Sequence, residues 1–154
     1  MKKTILFICT GNSCRSVMAE AILRKRLREL GRDDIEVRSA GVSAFEGMPP
    51  SDETIEVVRE EGVDVSDYRT KRVTTEMVRK ADLILVMEPA HKEDISGILP
   101  EAAEKTFLLK EFGRLSPSGR RDPGVSDPIG KPAEEYRATK DEIKAEIERL
   151  IKKL

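Results

Sequence analysis

Glutamine is absent from this chain, and asparagine, histidine and cysteine nearly so: Asn12 and His91 are the sole examples of their kind, and Cys9 and Cys14 the only two cysteines. Two cysteines make neither a disulfide framework nor a four-ligand zinc site, and one histidine does not complete a Cys/His cluster, so metal chemistry on these ligands is not expected. A Ser-His-Asp relay would have to use His91, whose neighbours Ala90 and Lys92 give no sign of one, so His91 reads as a surface histidine. No apolar run approaches the roughly 20 residues that span a bilayer, and Ile5 to Ile8 is too short for the core of a signal peptide. The expectation is a soluble cytoplasmic protein with no membrane partner.

An excess of charge of one sign is missing as well. Lys and Arg number 28 against 29 Asp and Glu, a net charge of −1, which gives no electrostatic reason to expect nucleic acid or an acidic membrane. The 37% of charged residues therefore reads as mixed surface. At 154 residues the chain has the size of one domain able to bury its own core, so 1–154 is read as a single domain, a monomer or weak dimer. Scarce amides beside abundant Glu, Lys and Arg match the bias of heat-adapted proteins, because amides are thermolabile and ion-pair networks gain value when hot.

Thr4 to Ile8 is a continuous apolar run of strand length, suited to a strand covered on both faces of a parallel sheet. After the polar stretch Thr10 to Arg15, Met18, Ile22, Leu23, Leu27 and Leu30 recur at helical spacing, with Ser16 as cap and Gly31 as stop. The alternation continues through a strand near Ile35 to Ser39, a helix from about Asp52 to Glu61, a strand from Asp82 to Met87 and a helix near Ala90 to Leu99. A fourth strand is expected through Thr106 to Leu109, and Tyr136, Ile143, Ile147, Leu150, Ile151 and Leu154 predict a closing amphipathic helix. The pattern is α/β, a four-stranded parallel sheet flanked by helices. Between the last strand and helix, Gly113 to Pro132 carries four glycines and four prolines and reads as a long loop of functional interest.

The chemistry concentrates in Cys9-Thr10-Gly11-Asn12-Ser13-Cys14-Arg15-Ser16, between the first strand and first helix, where open α/β sheets bind ligands. A helix N-terminus offers unpaired N–H groups and the positive end of a dipole, and Gly11 and Asn12 tolerate the left-handed backbone that turns those groups inward. Arg15 adds a planar fork matched to two phosphate oxygens, and the positive surroundings favour a Cys9 thiolate. The plainer alternative is a small buried cysteine at a strand end and an ordinary arginine ion pair. A cysteine, an arginine six positions later and a hydroxyl directly after it, all at one sheet edge, favour the anion cradle.

These residues resemble the signature of the low-molecular-weight protein tyrosine phosphatases, Cys-x5-Arg-Ser with Gly and Asn inside the loop. The likeness continues through Arg38-Ser39-Ala40-Gly41, Ala81 to Met87 and Asp127-Pro128, and so covers nearly the whole chain. The resemblance implies that Cys9 attacks phosphorus to give a phosphocysteine, while Arg15 and the amides of Thr10 to Cys14 hold the equatorial oxygens. It also implies that Ser16 supports the thiolate, Asn12 fixes the loop, and Asp127 protonates the leaving group and then activates water. Neither metal nor other cofactor is implied, and the partner is a phosphorylated protein. Asp122, which also precedes proline, is the competing acid; Asp127-Pro128-Ile129-Gly130 fits the family pattern better than Asp122-Pro123-Gly124.

Departures from that pattern bear on the substrate. Many tyrosine-specific members carry two aromatics after Asp-Pro and an apolar residue in the middle of the loop, where this chain has Ile129-Gly130 and Ser13. Protein-arginine phosphatases of the family carry a small hydroxyl residue at the Ser13 position, so Ser13 is either a specificity residue or a loop spacer. Phe45 is a candidate wall for an aromatic phosphoester, or a core residue. Arsenate reductases of the same fold can carry an identical loop, yet they relay oxidation through cysteines after the third strand, where this chain has Met87-Glu88-Pro89-Ala90-His91. Cys14 is either a partner for a reversible disulfide with Cys9 or a packing residue, and Tyr68 stands near a position where relatives often have histidine. The reading that follows is a phosphotyrosine phosphatase, with phosphoarginine close behind and an arsenate reductase or non-catalytic anion binder as further alternatives.

Overall fold

The computed structural model describes residues 2–112 and 124–154. Its elements run β1 (Lys3–Cys9), α1 (Arg15–Glu29), β2 (Ile35–Gly41), α2 (Asp52–Arg59), α3 (Thr75–Lys80), β3 (Leu83–Val86), α4 (Pro89–Ile98), a 3-10 turn (Pro100–Lys105), β4 (Thr106–Leu108) and α5 (Ala133–Ile151). The four strands form one parallel sheet in the order β2-β1-β3-β4. The expected α/β class, strand number and closing helix are all present, and the apolar run of β1 is the covered central strand that its composition predicts.

Side-chain alternation along β1 divides the core in two. Ile5, Phe7 and Cys9 join Met18, Leu23, Val57, Ile143 and Ile147 from α1, α2 and α5. Leu6 and Ile8 face the other way, against Val78 of α3 and Ile95 of α4. Each such side chain contributes about 1.5–3 kcal/mol by leaving water. The result is a three-layer domain whose central strand ends, at Cys9, in the middle of the sheet edge.

One local expectation is corrected, and two short elements are added to those expected. Ser16 does not cap α1: the helix begins at Arg15 with Cys14 at the cap position, and Ser16 lies inside the first turn, fully buried. Helix α3 and the 3-10 turn have no counterpart in the periodic reading, because each is six residues long and buries a single side chain, Val78 or Ala102. Gly31 does end α1, in the left-handed backbone that glycine adopts readily.

One glycine sets the position of the site. Cys9 and Gly41 are register partners at the ends of β1 and β2. A Cβ on Gly41 would lie 2.5 Å from the Thr10 carbonyl oxygen and 2.8 Å from the Asn12 nitrogen. The chain beyond β1 can turn this tightly over β2 only because position 41 has no side chain.

Candidate active site

The loop from Cys9 to Arg15 is shaped by Asn12, which takes a φ of 54°, the only positive value at a non-glycine position among the described residues. Its buried side chain explains how that conformation is held. Asn12 Nδ2 donates to Ser16 Oγ at 2.8 Å and to Ser39 Oγ at 3.1 Å. Its Oδ1 accepts from the Tyr68 hydroxyl at 2.7 Å and from the Lys71 backbone N–H at 2.8 Å. All four capacities of the amide are spent, so the left-handed turn is locked by a saturated network. Burial pushes the Tyr68 phenol up to about 12, which keeps it a donor at every physiological pH.

The network ends on sulfur. Ser16 Oγ, which accepts from Asn12, lies 2.9 Å from Cys9 Sγ, where its hydrogen can meet a thiolate, and the Asn12 backbone N–H donates to the same sulfur at 3.2 Å. Burial pushes the Cys9 thiol above its ordinary value, while the Ser16 bond, the Arg15 charge and the loop amide pull it down. The expected dominance of the positive surroundings is not met: desolvation outweighs them.

Arg15 is 2% exposed and its guanidinium is shared among several acceptors. NH1 donates to the Val125 carbonyl at 2.8 Å and lies 3.3 Å from Glu88 Oε1; NH2 lies 3.5 Å from Asp127 Oδ2 and 3.3 Å from Thr10 Oγ1. The approach to α5 therefore returns to the β1–α1 loop, and places Asp127 beside Arg15. Its Oδ1 accepts from the Ile129 N–H at 3.1 Å, the turn that an Asp-Pro pair starts. Asp122 lies outside the described residues.

Around the loop, Ser51 caps α2 by accepting from the Thr54 N–H, and its own N–H donates to the Ser13 carbonyl at 3.2 Å. Ser51 Oγ is 3.5 Å from Cys14 Sγ, and Ser13 Oγ is 3.6 Å from the same sulfur. Cys9 and Cys14 are both free thiols. Phe45 is 83% exposed, which removes the core reading; its loop is tied to the site by Val42 and Ser43 N–H groups on the carbonyls of Cys9 and Thr10. Gly11 has no left-handed backbone, so of the two residues expected to supply that turn only Asn12 does so.

His91 is the clearest correction. It is 2% exposed, not at the surface, with Nδ1 accepting the Glu88 N–H at 3.2 Å and Nε2 at 2.9 Å from Thr10 Oγ1. Nor does the sequence give a site role to Glu88, Ser39, Ser51 or Val125, each of which contacts a residue of the loop. For Glu88 and His91 a signal exists: Glu88-Pro89-Ala90-His91 directly follows a buried strand and begins a helix with proline at its first position, at the same sheet edge as Cys9.

A buried cysteine at the end of a central strand, wrapped by a loop of amides and faced by an arginine and a carboxylate, defines a class of protein built to hold an oxyanion beside a nucleophile. The family profile described as low molecular weight phosphotyrosine protein phosphatase matches residues 4–154, and the chain belongs to that family. It is an enzyme of the phosphatase type that the family's members are named for. A protein-arginine-phosphatase of Geobacillus stearothermophilus is 41% identical over 154 residues, covering 100% of this chain and 97% of that one. The crystal structure of a low molecular weight protein tyrosine phosphatase from T. tengcongensis is 44% identical with a TM-score of 0.89, covering 99% and 100% of the two chains. An arsenate reductase of Staphylococcus epidermidis is 36% identical over 148 residues, covering 96% and 95%.

Proposed function

We propose that this chain is a cysteine-dependent protein phosphatase in which Cys9 is the nucleophile, Arg15 the oxyanion clamp and Asp127 the acid, and that phosphoarginine is its better substrate. Cys9 Sγ attacks phosphorus, the S–P bond forms as the bond to the leaving group breaks, and Asp127 gives its proton to the departing atom. Arg15 and the N–H groups of the loop take the charge on the equatorial oxygens. Asp127, now a carboxylate, accepts a proton from the water that cleaves the phosphocysteine and releases phosphate. The distance of 3.5 Å between Arg15 and Asp127 supports this division of labour, since it puts the acid beside the group that binds the anion.

Ser13 carries the choice of substrate. Among the described residues its hydroxyl makes only a long contact to the Cys14 sulfur, so its lone pairs are largely unspent. A guanidinium N–H can donate to that oxygen, whereas a phenyl ring would cover a hydroxyl and return no hydrogen bond. Ile129, 56% exposed after Asp127-Pro128, replaces an aromatic wall with a narrower apolar one. The full-length likeness to a protein-arginine-phosphatase supports the same reading. Phosphotyrosine, which the loop motif alone favours, remains the second reading because Phe45 offers an exposed aromatic face beside the site. The arsenate relay finds no support, as the chain has no cysteine beyond Cys14.

Phosphate release from matched phosphoarginine and phosphotyrosine peptides, each with a Cys9→Ser control, tests both levels. Preference for phosphoarginine that Ser13→Val reverses is the expected result. Preference for phosphotyrosine unaltered by Ser13→Val makes Ser13 a spacer, and the absence of Cys9-dependent release overturns the phosphatase mechanism.

A further inference from the structure

His91 has both ring nitrogens engaged. Because Nδ1 accepts the Glu88 N–H, the neutral ring carries its proton on Nε2 and donates it to Thr10 Oγ1. The same Thr10 oxygen accepts from Arg15 NH2 at 3.3 Å. Glu88, whose N–H orients the ring, places its carboxylate 3.3 Å from Arg15 NH1 and 3.6 Å from His91 Nε2. Four side chains from the loop, α1 and the start of α4 thus close a ring about one side of the guanidinium. A hydroxyl has two lone pairs and one hydrogen. With His91 on one lone pair and Arg15 on the other, the Thr10 hydrogen is turned away from both.

We propose that His91 is a positioning residue for Arg15: by donating to Thr10 it keeps that hydroxyl an acceptor toward the guanidinium and so fixes the plane in which the arginine presents its fork to a phosphate. The inference rests on reading the Cys9 to Arg15 loop as a phosphate site, and it gives a task to a buried histidine that the reaction itself does not use. Without the His91 donor the Thr10 hydroxyl is free to rotate, including to orientations that aim its hydrogen at Arg15. The ring must be neutral for this, since a protonated Nδ1 would face the Glu88 N–H donor to donor. Burial and the Arg15 charge hold His91 below the ordinary histidine value, against the opposing pull of Glu88, Asp94 and Asp127.

The test uses the full chain carrying His91→Phe, which removes the donor, His91→Gln, whose amide N–H restores one near the Nε2 position, and Thr10→Val, which removes the acceptor. The readouts are the dissociation constant of inorganic phosphate, kcat and KM on an aryl phosphate, and the melting temperature. His91→Phe is expected to weaken phosphate binding and lower kcat/KM by about tenfold, the loss of one hydrogen bond in a charged network. His91→Gln should recover to within about threefold, Thr10→Val should match His91→Phe, and the double variant should be no worse than either. Equal losses in the Phe and Gln variants, or a lowered melting temperature with unchanged phosphate affinity, make His91 a packing group and overturn the proposal. If His91→Phe does not fold, Thr10→Val decides alone, with unchanged phosphate affinity counting against it. Phosphate affinity is independent of turnover, so a wild-type chain that binds phosphate without hydrolysing esters defeats the phosphatase mechanism and leaves His91 tested; one that binds no phosphate defeats both.

Discussion

Arg15 NH2 and Asp127 Oδ2 stand 3.5 Å apart, a pair whose arginine is 2% exposed and whose carboxylate is 37% exposed. The buried partner cannot move far, so the carboxylate is the member that must yield when an anion arrives. Asp127→Asn keeps a polar contact with Arg15 but has no proton to give. Turnover is expected to fall about a hundredfold to a thousandfold, with the larger loss on esters of poor leaving groups. Steady-state rates on a series of aryl phosphates check this, and near-normal turnover in Asp127→Asn would sink the assignment.

Ser16→Ala removes the hydroxyl that lies 2.9 Å from Cys9 Sγ and can donate to its thiolate, and it leaves Asn12 Nδ2 with Ser39 alone. A hydrogen bond to a charged group contributes about 1.5–3 kcal/mol. The variant is therefore expected to lose about tenfold to a hundredfold in kcat, and alkylation of Cys9 by iodoacetate should require a higher pH than in the wild type. An unchanged alkylation profile would show that Ser16 does not govern the thiolate.

Gly41→Ala tests the close passage of the phosphate loop over β2. The new methyl would meet backbone atoms at 2.5 to 2.9 Å, and backbone cannot swing aside as a flexible side chain does. A stability loss of about 1–3 kcal/mol is expected, together with weaker phosphate binding. Chemical denaturation and phosphate titration measure the two separately, and retained phosphate affinity would mean that the loop relaxes without losing its shape.

Glu61 accepts from Lys140 at 2.8 Å and pairs with Lys144 at 2.7 Å, which holds its carboxyl below the usual range. A carboxylate favoured in the folded state adds stability above its unfolded pKa of about 4.3, and that contribution is lost as pH falls through the lower folded value. Unfolding free energy should decline below about pH 4.3, and Glu61→Gln should reduce both the stability at pH 7 and the size of the decline. The neighbouring Arg137–Glu60 pair, at 2.6 Å, extends the charged seam between α2 and α5. With scarce amides and such a seam, a melting midpoint above the mesophilic range of about 45–65 °C is expected; a midpoint within it would remove the heat-adaptation reading.

The parts of the molecule visible in the sequence are those written locally. The run from Thr4 to Ile8 and the spacing of Met18, Ile22 and Leu23 encode strand and helix by their own periods, and Cys9, Asn12, Arg15 and Ser16 share eight consecutive positions. Contacts between distant loops carry no such period. Tyr68 reaches Asn12 across 56 residues and His91 reaches Thr10 across 81, and both meetings depend on which strand ends beside which. The pairing of β1 with β3, Ile8 opposite Val86, is what delivers Glu88 and His91 to the loop. A serine before an apolar stripe usually reads as a cap, whereas here the helix starts one residue earlier and the Ser16 hydroxyl lies 2.9 Å from Cys9 Sγ.

The guanidinium of Arg15 lies 3.3 Å from Glu88 Oε1 and 3.5 Å from Asp127 Oδ2, so two carboxylates already sit where the proposed mechanism needs an anion. On that mechanism a phosphoryl group competes with them for one arginine, and its affinity measures a difference between anions. A neutral analogue of the same shape has no such competition to win, and nothing to win it with.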